Sequence, residues 1–180
     1  MLLCEVRRLG LVPYREAWEL QKRLAAERAT DLIPDTLLLL EHPHTYTLGR
    51  SGHIENLLLN EGQRAESGVA VEWVDRGGDI TYHGPGQLVG YPILRLGRPV
   101  DGNGHIPQAD YVGYVRRIEE MLIRALAHFG LVSGQIPGLT GVWMQADVAS
   151  RCPHCPPHAR LMPSKIAAIG VKVAAKGISQ

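Results

Sequence analysis

The sequence predicts an α+β domain in which helices pack on a mixed sheet. Three observations carry that expectation. Apolar residues recur at helical spacing in two stretches, Tyr14–Arg28 and Asp110–His128. Short apolar or β-branched runs stand between turns at Leu37–Leu40, Val69–Val74, Leu88–Leu96 and Lys165–Val173. The 20 glycines and 12 prolines supply the punctuation. Strands and helices in this mixed order fit helices laid on a mixed sheet.

Composition narrows the class. At 180 residues the chain is expected to form one domain spanning residues 1–180. A hydrophobic share of 45% suffices for a core and argues against disorder. A net charge of +1 gives no reason to expect nucleic acid or an acidic membrane as partner. No apolar run approaches the roughly 18 residues of a membrane span. The start, Met1 to Arg8, lacks a basic segment followed by a long apolar stretch, so no secretory signal is expected. Three cysteines, an odd number, do not make a disulfide framework. A cytoplasmic location is the expectation.

Taken in order, Leu2–Leu9 reads as a first strand ending at Gly10. Tyr14, Ala17, Trp18, Leu24 and Ala25 mark the apolar face of the first helix, with Arg15, Glu16, Glu19, Lys22, Arg23 and Glu27 opposite. The continuous run Leu37–Leu40 suits a strand buried on both faces. It delivers His42-Pro43-His44 to one end of the sheet; two histidines without a third ligand at fixed spacing make a poor metal site. Gly49–Gly68 is polar, with Ile54, Leu57, Leu58 and Leu59 as a short helical or buried patch. Arg98–Gln108 is a loop. Asp110 caps the second helix, Gly130 ends it, and Tyr111, Val112, Val115, Ile118, Leu122, Ala125, Leu126 and Phe129 are its expected buried face. Arg116, Arg117, Glu119 and Glu120 are its expected solvated face. Gly138–Met144 is a turn leading into a strand, and Lys165–Val173 is the last strand.

The densest stretch is Trp73–Leu96. Arg76-Gly77-Gly78 and His83-Gly84-Pro85-Gly86 read as two turns between strands. A glycine pair beside an arginine offers backbone N–H groups next to a fixed positive charge, suited to a carboxyl, thioester carbonyl or phosphate. A branched side chain at Gly77 is expected to intrude on that turn. Arg76, Thr81, Tyr82, His83 and Gln87 crowd the same turns and favour a ligand site over two plain hairpins. A phosphate loop is excluded, because no Gly-Lys-Ser/Thr follows Gly86. The dinucleotide fingerprint is excluded as well, because Leu88, Val89, Tyr91 and Ile93 read as strand rather than helix.

The run Arg76-Gly77-Gly78-Asp79-Ile80-Thr81-Tyr82-His83-Gly84-Pro85-Gly86-Gln87 resembles the signature of the lipoyl(octanoyl) transferases. Glu41-His42-Pro43 through Tyr46-Thr47-Leu48-Gly49-Arg50, and Lys165-Ile166-Ala167-Ala168-Ile169-Gly170-Val171-Lys172-Val173, resemble the same family in the same order. The resemblance spans Leu9 to Val173. It implies the fold of biotin and lipoate protein ligase catalytic domains. It implies transfer of an octanoyl group from acyl carrier protein to a lysine of lipoyl domains, those of 2-oxoacid dehydrogenases and the glycine cleavage H protein, with no cofactor. It assigns substrate binding to Arg76, Gly77, Gly78, Asp79, Ile80, Thr81, Tyr82, His83, Ala168, Ile169 and Gly170. It assigns to Lys165 the lowering of a nucleophilic cysteine's pKa.

Two departures from the family pattern stand out. The family's cysteine lies in a Pro-Cys-Gly-Ile-like turn beyond the lysine, and no such turn occurs here. A third substrate segment, Gly-x-Ala, is absent too, so the chain is expected to be C-terminally incomplete, with an open sheet edge. The stretch Gln145–Ser164 is an insert holding Cys152, His154, Cys155 and His158. Those are zinc-ligand types, but four ligands from one proline-stiffened loop are geometrically awkward, and a plain loop is the expectation. Cys4 sits in the first strand and matches nothing in the family. Two other readings stay open: an ATP-dependent lipoate or biotin ligase of the same fold, and a non-catalytic relative that binds acyl groups or zinc.

Overall fold

A computed structural model describes residues 3–97, 110–144, 163–174 and 177–179. The chain divides into two compact units, residues 1–109 with 170–180, and residues 110–169.

The first unit begins with β1 (Cys4–Leu11), α1 (Tyr14–Ala29) and β2 (Asp35–Glu41). The expected first strand is thus found two residues later, running through Gly10 with a bulge between Arg8 and Gly10. α1 forms as its periodicity predicts, burying Ala17, Gln21, Leu24 and Ala25. Its last turn is tied down by Arg28, which donates to Asp35 and Asp31 at 2.6 Å each. β3 (Thr45–Leu48), α2 (Glu61–Ser67), β4 (Ala70–Trp73), β5 (Ile80–His83) and β6 (Val89–Ile93) follow. One mixed sheet has the order β1-β2-β6, parallel in the first pair and antiparallel in the second. A second has the order β4-β3-β5, with the same mixture.

The core of this unit is Ala17, Leu24 and Ala25 of α1 against Leu38, Leu40, Ile93 and Ile178. Each large side chain buried there contributes about 1.5–3 kcal/mol. β2 departs from the expected two-sided burial. Thr36, Leu38 and Leu40 are fully buried, whereas Leu37 and Leu39 are half-buried and lie beside Gly90 of β6. A uniform leucine run carries no alternation, so the sequence cannot reveal which face is covered. The apolar patch is helical only at its start, a 3-10 turn over Ile54–Asn56, and it is not a buried cluster, with Leu58 92% exposed. α2 was not expected at all. Asn60 and Gln63 form a reciprocal capping box and Gly68 closes the helix, a signal present in the sequence within a stretch read only as polar.

The expected last strand is two short pieces, β9 (Ser164–Ala167) and β10 (Val173–Ala174), with irregular chain between. β10 pairs with β11 (Ile178–Ser179), and β11 continues past the end of β6: Ser179 N–H donates to Leu94 O at 2.9 Å, and Leu96 N–H to Gly177 O at 2.8 Å.

The second unit holds α3 (Tyr111–Ala127), β7 (Ser133–Ile136), β8 (Leu139–Met144) and β9, the strands forming the antiparallel sheet β7-β8-β9. Asp110 caps α3 by accepting the Gly113 N–H. The expected buried face holds only in part, with Val115, Ile118, Leu122 and Leu126 half-buried. Val112 is 73% and Phe129 80% exposed, while the fully buried residues are Tyr114 and Glu119. Glu119, expected in solvent, is buried because its carboxylate finds two donors, the Gly141 N–H at 2.8 Å and Arg116 Nη1 at 2.7 Å. β7 was not anticipated from the sequence. The loop Arg98–Gln108 and the cluster Cys152–His158 lie outside the described residues. Among the described residues, no helix is long and apolar enough to cross a membrane.

Candidate active site

In the first unit the special residues gather around the end of β3. Tyr46, Thr47 and Leu48 pair with Tyr82, Thr81 and Ile80 of β5. The Arg76–Asp79 turn therefore closes directly over Gly49. Gly49, Arg50 and Ser51 donate their N–H groups to the carbonyls of Asp79, Arg76 and Gly78 at 3.2, 3.0 and 3.2 Å. A Cβ on Gly49 would stand 2.3 Å from Gly78 O and 3.0 Å from Arg76 O, so only glycine fits there.

Arg76 folds back on this scaffold. Its Nη2 donates to Thr47 O at 2.8 Å and Thr47 Oγ1 at 2.9 Å, and its Nη1 to Gly77 O at 2.9 Å. Burial pulls the guanidinium's pKa down from its usual value. The guanidinium ties the glycine turn to β3, a role that the bare sequence does not distinguish from that of a ligand-facing cation. Gly170 approaches the same side chain: a Cβ there would meet Arg76 Cδ at 3.0 Å and Gly77 O at 3.3 Å. Lys172 Nζ pairs with Asp75 at 2.5 Å, holding Gly170–Lys172 beside the turn. A Cβ on Gly77, by contrast, meets nothing nearer than Val171 O at 4.0 Å. A Cβ at Gly77 thus does not itself crowd the turn, and the close-packing demand on a Cβ falls on Gly49 and Gly170.

Next to Thr47 lies a buried cluster of aromatic rings. His42 is fully buried. Its Nδ1 lies 2.7 Å from Val12 O, a pure acceptor, so Nδ1 carries the proton and Nε2 accepts from the Tyr91 hydroxyl at 2.8 Å. Both ring nitrogens are thus occupied by protein groups. The Tyr14 and His83 rings stack at 5.9 Å between centroids, and His42 meets His83 edge-on at 5.6 Å. Thr47 Oγ1 accepts from Arg76 and lies 3.3 Å from His83 Nε2. The same hydroxyl donates to Thr81 O at 3.5 Å.

Burial, the His42 ring and the Arg76 charge depress His83 to about 4, so it is neutral near pH 7. Burial likewise pushes the Tyr14 phenol up to about 12. The cluster thus offers neutral hydrogen-bond donors in an apolar setting, which suits a polarised carbonyl rather than a second charge.

The other expected substrate residues divide. Asp79 is used structurally: its carboxylate accepts from His53 N at 3.2 Å and Asn56 Nδ2 at 2.6 Å. Those bonds hold its pKa below the usual carboxylate range. Tyr82 is on the outer side of β5, with its hydroxyl 2.5 Å from His44 Nδ1. Ile80 and Thr81 are half-buried within β5.

Lys165, Ala168 and Ile169 belong to the second unit. Lys165 pairs with Trp143 across β8 and β9, and its Nζ rests 4.7 Å from the Trp143 ring centre. Its stem crosses Gly141, where a Cβ would stand 3.2 Å from Lys165 Cε and 2.6 Å from Ala167 O. The sequence alone did not single out Thr47, Tyr14 or Tyr91 as neighbours of the glycine turn and His83, nor Glu119 as the buried partner of Gly141. Thr47 lay inside a quoted family match without being singled out.

Residues 13–180 match the model of the lipoyl protein ligase A/B catalytic domain. The chain is 44% identical over 174 residues to an octanoyltransferase of Chloroflexus aurantiacus, covering 97% of this chain and 68% of that one. It is 48% identical over 170 residues to an octanoyltransferase of Rubrobacter xylanophilus, covering 93% of this chain and 65% of that one. Among solved structures it resembles a bipartite lipoate protein ligase from Thermoplasma acidophilum, with a TM-score of 0.61 at 16% identity, covering 99% of this chain and 59% of that one. It also resembles a lipoate-protein ligase A bound with ATP, with a TM-score of 0.51 at 16% identity, covering 97% and 63%. The two structures share the fold, as expected. The chain spans about two thirds of the length of these relatives.

Proposed function

The chain belongs to the octanoyltransferases of the lipoyl protein ligase A/B catalytic-domain family, and we propose that the whole protein moves an octanoyl group from acyl carrier protein to a lysine of lipoyl domains. The acceptors in this reading are the lipoyl domains of 2-oxoacid dehydrogenases and the glycine cleavage H protein, in the cytoplasm. The observation that carries it is the meeting of Gly170 with Arg76 and Gly77. That contact sets Gly170, the last residue of the second stretch that resembles the family's substrate-binding segments, against the glycine turn of the first. The neutral donor His83 lies beside Thr47, to which Arg76 is bonded, and stacks on the Tyr14 ring.

In this mechanism a cysteine thiolate attacks the carrier-bound thioester carbonyl, and the carbon–sulfur bond to the carrier breaks with the carrier leaving as its thiolate. The cysteine belongs to a Pro-Cys-Gly-Ile-like turn, a segment that the 180 residues do not contain. The lipoyl-domain amine then attacks the octanoyl-cysteine thioester, forming the amide, releasing the cysteine thiolate and giving up one proton, which matches the proton that the departed carrier thiolate takes up from water. Lys165 favours that thiolate through its charge. The ring N–H of neutral His83 and the N–H groups of the Gly77–Gly78 turn donate to the acyl oxygen as negative charge grows on it. Arg76 and Gly170 hold that turn in place.

The test is a comparison of donors with the full-length protein. Octanoyl-acyl carrier protein without nucleotide is expected to modify a lipoyl domain, and octanoate with ATP is expected to release no pyrophosphate. Pyrophosphate release dependent on octanoate would replace the transferase reading with the ligase reading.

A further inference from the structure

We infer that Glu119, a carboxylate buried in the second unit, is the positioning residue for Lys165. The inference rests on the proposed role of Lys165 in the reaction. A fully buried carboxylate is costly unless its oxygens are met, and here both are. Oε1 accepts the Gly141 N–H at 2.8 Å, and Oε2 accepts Arg116 Nη1 at 2.7 Å, one turn earlier on α3. Helix packing alone would be served better by an apolar residue at this position. The carboxylate instead fastens one specific backbone amide of β8.

That amide lies where the β8–β9 pairing is irregular. The register shifts between Val142 and Trp143: Val142 pairs with Ala167, and Trp143 with Lys165. Gly141 takes φ +112, which ordinary side chains rarely adopt, and leaves open the space that the Lys165 stem crosses. The chain of contacts runs from Arg116 to Glu119, to the Gly141 amide, to the Lys165 stem and on to the ammonium over the Trp143 ring. Glu119 thus fixes the backbone that sets the height and direction of the lysine, without touching substrate itself.

Glu119→Gln tests this in the full-length protein. The site presents two donors to two acceptor oxygens. A glutamine supplies one oxygen and one NH2, so one donor must face another. Glu119→Asp restores both oxygens on a shorter stem and serves as the conservative rescue. Lys165 labelling by an amine-reactive reagent, read by peptide mass spectrometry across pH, reports the lysine directly. Lys22 of α1 is the internal control.

The expected result is a shifted Lys165 labelling profile in Glu119→Gln with Lys22 unchanged. The turnover number should fall on the order of 10²-fold, the scale for a catalytic group displaced by about 1 Å. KM for the acyl carrier substrate should stay constant, and Glu119→Asp should recover part of both effects. An unchanged Lys165 profile in a folded Glu119→Gln protein overturns the inference. Should Glu119→Gln fail to fold, hydrogen exchange of the wild-type Gly141 amide decides. Protection well above that of Thr140 supports the clamp, and unprotected exchange overturns it. Should Lys165→Ala retain transfer, the role of Lys165 falls, while the labelling result still reports whether Glu119 positions it.

Discussion

Adding one methyl group at Gly49 should damage this protein far more than adding one at Gly77, although both glycines flank the same turn. At Gly49 the new Cβ would lie 2.3 Å from Gly78 O and 3.0 Å from Arg76 O. Ordinary contact begins near 3.4 Å, so the turn must retreat by roughly 1 Å. The two carbonyls are not free to move. Arg76 O accepts from Arg50 N and Gly78 O from Ser51 N, at 3.0 and 3.2 Å. Losing two hydrogen bonds costs about 1 kcal/mol each, and overpacking adds about 1–3 kcal/mol. Gly49→Ala should therefore lose about 3–5 kcal/mol, or roughly 6–20 °C in melting temperature at about 2–4 °C per kcal/mol. Gly77→Ala meets no atom nearer than 4.0 Å and should stay within about 0.5 kcal/mol of wild type. Urea denaturation and thermal melting of the two variants side by side give the comparison. Equal stability of Gly49→Ala and wild type would refute the close approach of β3 to the glycine turn.

Thr47→Val keeps the shape of a fully buried residue but removes the hydroxyl shared by Arg76 and His83. It should cost about 1–3 kcal/mol and weaken transfer, whereas Thr47→Ser keeps the hydroxyl and should retain the activity; the order reversed would remove Thr47 from the site. Lys165→Ala should lower transfer by on the order of 10²–10⁴-fold without unfolding the protein, as read by circular dichroism beside the assay. Acid should act through His83. Its folded pKa of about 4 lies below the ordinary value near 6.5, so between those values the unfolded chain binds the extra proton. Stability should be full above pH 6.5 and fall by a few kcal/mol as pH drops toward 4. A His83→Gln variant should show a shallower decline in urea titrations at pH 7 and 5, and an identical slope would place the acid sensitivity elsewhere.

Much of the fold was legible because local chemistry and tertiary packing agree there. The spacing of Ala17, Leu24 and Ala25 announces α1, and the turns at Gly77–Gly78 and Gly84–Gly86 announce β5 and β6. Around the glycine turn the residue types were legible but not the contacts they make. Arg76 reads as a cation facing a ligand until its bonds to Thr47 are seen, because the partner lies 29 residues away. Glu119 reads as a solvated helix residue because its burial depends on the Gly141 amide, 22 residues distant. The apolar face expected for α3 rested on periodicity alone, which gives no sign that Val112 and Phe129 stay exposed while a carboxylate is enclosed. α2 was missed for the opposite reason: its capping box was in plain view at Asn60 and Gln63, but its seven residues carry no apolar stripe.

The central claim is octanoyl transfer between two proteins, and the intact mass of the acceptor tests it most directly. The full-length protein is incubated with octanoyl-acyl carrier protein and an unmodified lipoyl domain, with no nucleotide present. The account predicts that the lipoyl domain gains the mass of one octanoyl group, mapped to a single lysine as a hydroxylamine-resistant amide, and that Lys165→Ala abolishes the gain. A lipoyl domain whose mass stays unchanged, or changes only when ATP and free octanoate are supplied, would contradict it.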